Sequence, residues 1–74
     1  MDEAVTIIYE VSDGRPVVRT ETRLATLKIL EESARGKWPP LGVGEAIAAI
    51  RGGAARVIWR RARGGEVDAI TVGP

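Results

Sequence analysis

Ala55-Arg56-Val57-Ile58-Trp59-Arg60-Arg61-Ala62-Arg63-Gly64-Gly65-Glu66-Val67-Asp68-Ala69-Ile70-Thr71-Val72 is a pair of alternating runs joined by two glycines. Adjacent glycines take positive φ without steric cost, so the stretch reads as a β-hairpin. With Gly64-Gly65 as a two-residue turn, Arg63 faces Glu66, Arg61 faces Asp68, Trp59 faces Ile70 and Val57 faces Val72. Side chains alternate along a strand, so these pairs share one face. Opposite charges then meet near the tip and apolar groups near the base. The other face carries Arg56, Ile58 and Arg60 across from Ala69 and Thr71.

Upstream, Gly52-Gly53 ends a short helix expected from about Gly44 to Arg51, with Ala46, Ile47, Ala49 and Ile50 on it. Before it lies a loop from Lys37 to Gly42, because Pro39-Pro40 excludes a helix until Leu41. A longer helix is expected from Thr20–Thr22 to Arg35, with a threonine N-cap and Gly36 as a left-handed C-terminal residue. Its apolar stripe is Leu24, Leu27, Leu30 and Ala34, widened by Ile29. Further upstream, Ala4 to Arg23 reads as another hairpin, turning at Asp13-Gly14. That turn sets Tyr9 against Val18 and Ile7 against Thr20 on the core side, and Ile8 against Arg19 and Thr6 against Glu21 on the other. Pro16 lacks an N–H and suits a strand start or an edge strand.

The element order is strand, strand, helix, short helix, strand, strand. It predicts a single small α+β domain over residues 1–74, two-layered, with a four-stranded sheet built from two hairpins. Hairpin, helix, hairpin is the order of a β-grasp-like sheet, in which the first and last strands would pair in parallel at the centre. A fully antiparallel sheet under two helices is the alternative. A winged-helix arrangement fits less well, for want of a third helix.

Composition narrows the chemistry. The chain has 74 residues and neither cysteine nor histidine, which leaves no disulfide and no structural zinc. Phenylalanine is absent, so Val, Ile, Leu and Ala must build the core, and a domain this small sits near the margin of independent stability. Self-association, as a homodimer through an edge strand or the exposed sheet face, is therefore expected. The lack of Asn, Gln and His suits a heat-adapted source, while nine Arg against two Lys suits a GC-rich genome. The first residues are acidic and no apolar run is long enough to span a bilayer, so a cytoplasmic protein without a membrane partner is expected.

No catalytic set is evident. Ser12 and Ser33 have no neighbouring base, Glu31 and Glu32 diverge on a helix, and Asp13 is explained by turn chemistry. Gly42-Val43-Gly44-Glu45-Ala46-Ile47 fails the dinucleotide pattern at Ile47, and Glu45 would repel a phosphate, so helix-start geometry explains it better. Gly36-Lys37-Trp38 lacks the Ser or Thr of a phosphate loop. No metal or cofactor is expected.

The arginines remain. Arg51, Arg56, Arg60, Arg61 and Arg63 form a run without an acidic residue. Arginine forks match phosphate oxygens and a two-stranded ribbon fits a major groove, so the leading expectation is a DNA- or RNA-binding module acting mainly through phosphate contacts. The bland explanation is a solvated sheet face that guards against edge pairing. The alternative function is a non-enzymatic protein-interaction or regulatory module, viral or an accessory subunit, acting through a sheet edge or through Trp38, Pro39 and Pro40. Trp38 is expected to be buried over the core, as tryptophans in small domains usually are. Trp59 is expected in the core beside Ile70.

Overall fold

Residues 3–11, 14–62 and 64–74 are described by the computed structural model. Ala4–Val11 forms β1 and Val17–Thr22 forms β2. The chain then rises into α1, Arg23–Ala34, and returns through α2, Val43–Arg51. Arg56–Arg61 and Val67–Val72 complete the sheet as β3 and β4. The result is a two-layer α+β domain with strand order β2-β1-β3-β4.

The centre of the sheet is a parallel pair, but β1 lies beside β3 and not beside the last strand. The connection from α2 decides this. It is only Gly52–Ala55, and it delivers β3 to the open side of β1, where the Thr6 N–H donates to the Ala55 carbonyl at 2.9 Å. A tight turn ties β4 to β3, leaving β4 the outer position.

Alternation then sorts the side chains. Val5 and Ile7 of β1, Val57 and Trp59 of β3 and Ile70 of β4 are buried on the helical side. They meet Leu30 of α1 and Val43, Ala46 and Ile50 of α2. Each fully buried Val, Leu or Ile among them contributes on the order of 1.5–3 kcal/mol by leaving water.

Capping sets α1 as expected at one end only. Thr22 is the N-cap and accepts from the Ala25 N–H at 3.1 Å. Gly36 is not left-handed, and closes a turn by donating to the Ser33 carbonyl at 3.2 Å. The buried stripe is rotated from the expected one: Thr26 and Leu30 are buried, while Leu24 is 72% exposed. Thr26 is tolerated there because its hydroxyl donates to the Thr22 carbonyl at 2.8 Å.

Both hairpins depart from the strand registers expected of them. In β3–β4 the pairs Trp59/Ile70 and Val57/Val72 stand as expected. Nearer the tip the register slips by one, so that Arg61 faces Val67 and not Asp68. The turn closes one residue wider, with Ala62 donating to Glu66 and Gly65, at φ 85°, donating to Ala62. A β-bulge at Asp68 absorbs the difference. The expected Arg63–Glu66 pair lies outside the described residues.

In β1–β2 the whole register slips by one, with Ile7 opposite Arg19 and Ile8 opposite Val18. Val17, Arg19 and Glu21 are therefore on the helical side, and Val18 and Thr20 on the open face. Pro16 explains the slip. β1 directs its even-numbered residues to β3, so its odd-numbered residues bond to β2. The expected register sets Pro16 opposite Val11, where an N–H is required and proline has none. The observed one moves it to an outward-facing place. Asp13, half of the expected turn, lies outside the described residues, as does Ser12.

Candidate functional site

The four described arginines of the set, Arg51, Arg56, Arg60 and Arg61, do not converge. Arg51 ends α2 in the helical layer and pairs with Glu31 of α1. Arg61 lies on the helical side of the sheet, its guanidinium 4.8 Å from the centre of the Tyr9 ring. Tyr9 in turn stacks on Trp59, with ring centres 5.9 Å apart and planes 20° apart. Arg61 is thus committed to an aromatic stack, and its Nε, like the Trp59 Nε1, is buried without a hydrogen-bond partner among the described residues. Arg56 and Arg60 stand on the opposite, open face with Ile58. Neither makes an ion pair or side-chain hydrogen bond among the described residues. Arg63 lies outside them. The run that is continuous in sequence is divided between two layers in space.

Trp38 is 84% exposed, contrary to the expectation of burial. The reason is the path of its loop. Instead of folding over the core, Lys37–Leu41 crosses to the outer edge of β4, where Leu41 forms a parallel bridge with Ala69. The Leu41 N–H donates to the Asp68 carbonyl at 3.0 Å, and the Ile70 N–H donates to the Leu41 carbonyl at 2.8 Å. Gly42 follows at φ 84°, so close to β4 that a Cβ would lie 2.3 Å from the Ile70 carbonyl oxygen. Only glycine meets both demands. Leu41 itself is 79% exposed, because its backbone and not its side chain does the closing.

Among the described residues nothing pairs with the other edge. Every residue of β2 is exposed except Glu21, which is half-buried. Val17 and Val18 point to opposite faces and are 59% and 61% exposed. The Arg23 N–H donates to the Glu3 carbonyl at 2.9 Å, which fixes the alternation of the ladder. Glu21, Arg19 and Val17 are then the residues bonded to β1, and the N–H and C=O groups of Val18 and Thr20 point out of the sheet. On the helical side Arg19 pairs with Glu21 at 3.2 Å. The Arg19 guanidinium is held above its ordinary pKa, first by that hydrogen bond to Glu21 and then by Tyr9.

A further arginine, absent from the sequence-based set, anchors the fold. Arg23 donates to the Ile50 carbonyl at 2.7 Å and the Ala54 carbonyl at 2.6 Å, and pairs with Glu3 at 2.7 Å. It satisfies the carbonyl end of α2 from the first turn of α1, a placement that suits a cation. The only local signal for it was a basic residue where a helix start prefers an acidic one.

Among the described residues no group of three or more acidic side chains could hold a metal ion, and no helix is long and apolar enough to cross a membrane. No protein-family model, no curated protein and no solved structure matches the chain.

Proposed function

We propose that this chain is a non-enzymatic protein-interaction module that accepts an extended strand along β2. The observation that carries the reading is the bare edge itself, with outward backbone groups at Val18 and Thr20 and a valine exposed on each face. Strand addition takes affinity from main-chain hydrogen bonds and specificity from alternate side chains, and β2 offers both. Trp38 and Leu41 extend the exposed apolar surface at the opposite edge, but there Leu41 already bonds the Asp68 carbonyl and the Ile70 N–H.

The test is a fluorescently labelled Val-Thr-Val-Thr peptide with lysine at both ends, titrated at protein concentrations where the chain is monomeric. A saturable rise in anisotropy, lost in Thr20→Pro, supports the reading. No rise with the folded wild type, or equal binding by Thr20→Pro, contradicts it.

A second reading rests on a separate observation. Arg56 and Arg60 are unpaired among the described residues and share the open face with Thr6, Thr20 and Thr71. This reading is a phosphate-binding face for DNA or RNA. Replacing both arginines by Ala would then flatten the salt dependence of oligonucleotide binding by roughly two units. Unchanged binding by that variant contradicts it.

A further inference from the structure

From the same edge, and resting on the open-edge reading above, we infer that the strand β2 accepts is the β2 of a second copy, antiparallel, with Thr20 opposite Thr20 across a two-fold axis. This merges two sheets into one, with the helices of both copies on the same side.

The register follows from parity and charge. Only outward-facing residues bond across the new interface, so Val18 and Thr20 must oppose residues of their own parity. Three such registers use the strand. With Val18 opposite Val18, Pro16 falls opposite Thr20 and a ladder bond is lost for want of its N–H. With Val18 opposite Thr20, Arg19 falls directly opposite Arg19, a repulsive cross-strand pair. With Thr20 opposite Thr20, Arg19 of each copy falls opposite Glu21 of the other. Charge selects that register, in which Val18 falls opposite Thr22, whose carbonyl already accepts from the Thr26 hydroxyl.

The geometry strengthens the match. Thr20 of each copy exchanges both its backbone bonds with its mate, and the Arg19/Glu21 pairs occupy the non-hydrogen-bonded sites. Cα atoms at such sites approach to about 4.5 Å and side chains come closest. Arg19 and Glu21 already lie 3.2 Å apart within one chain on the helical side. Two copies therefore close a ring of alternating charges about the two-fold axis. At the β4 edge Leu41 already bonds the Asp68 carbonyl and the Ile70 N–H, and Gly42 lies against the Ile70 carbonyl, which leaves a shorter outward ladder there.

The test is a charge exchange read by sedimentation equilibrium on the full chain. Arg19→Glu and Glu21→Arg each create like-charge pairs in a homodimer, so each alone should self-associate at least about tenfold more weakly than wild type. Mixed in equal amounts, the two variants restore every opposite-charge pair and should dimerise with each other. The double variant carrying both changes should dimerise like wild type. Circular dichroism and a melting curve confirm that each variant is folded.

Dimerisation of Glu21→Arg at wild-type strength, or failure of the mixture to associate, overturns the register. A wild-type chain that stays monomeric to the highest accessible concentration overturns the second copy as occupant. In that case, continued binding of the Val-Thr peptide leaves the open-edge reading standing, and loss of both defeats it as well.

Discussion

The two edges of this sheet are treated in opposite ways. Along β4 the backbone is closed by Leu41, and Gly42 is pressed against the Ile70 carbonyl. Along β2 the outward Val18 and Thr20 backbone groups have no hydrogen-bond partner among the described residues, and a valine is exposed on either side. An unprotected edge is a template for another strand, and natural sheets generally blunt it with bulges, charges, proline or a covering loop. Here the protective devices are concentrated on one side: the bulge at Asp68 and the Pro39-Pro40-Leu41-Gly42 segment all serve β4. Beside β2, among the described residues, stand Pro16 at its entrance and the Arg19–Glu21 pair. Among the described residues the two edges are thus unequally covered.

The largest effect should come from breaking the closed side. Gly42→Ala forces a side chain into left-handed backbone and against a carbonyl, and should cost about 2–4 kcal/mol in chemical denaturation. Gly44, two residues later with nothing within 4 Å of a Cβ, is the control. Gly44→Ala should stabilise by roughly 0.5–1 kcal/mol, the usual gain within a helix. Equal effects at the two glycines would show that Leu41 and Gly42 do not hold the β4 edge.

Proline substitution probes the open side at a smaller scale. Arg19 bonds inward to β1, so Arg19→Pro should cost about 2–3 kcal/mol. Thr20 bonds outward, so Thr20→Pro should cost less than about 1 kcal/mol while removing strand addition. The reverse order in melting or denaturation would mean that the ladder has the opposite parity.

Much of this architecture was legible because it is local. Period-two alternation placed Val57, Trp59 and Ile70 in the core and separated Arg56 and Arg60 from them. Thr22 and the glycine pair at 52–53 marked helix ends. What escaped was non-local. The β2 register depends on which way β1 turns its backbone, and β3, more than thirty residues further on, decides that. Trp38 is exposed because its loop is drawn to β4, and Arg23 matters because of carbonyls on α2. The arginine run is divided for the same reason: neighbours in sequence are separated by pleat and layer.

Amide hydrogen exchange, resolved by residue in NMR spectra at low and high protein concentration, tests the open edge and its occupant together. In dilute solution the Thr20 amide should exchange quickly and those of Arg19 and Ile70 slowly, since Arg19 is tied to β1 and Ile70 to Leu41. At high concentration Thr20 should become protected while Arg19 and Ile70 stay as they were. A Thr20 amide already protected when dilute, or one that remains unprotected at every concentration and with the Val-Thr peptide added, would contradict the account.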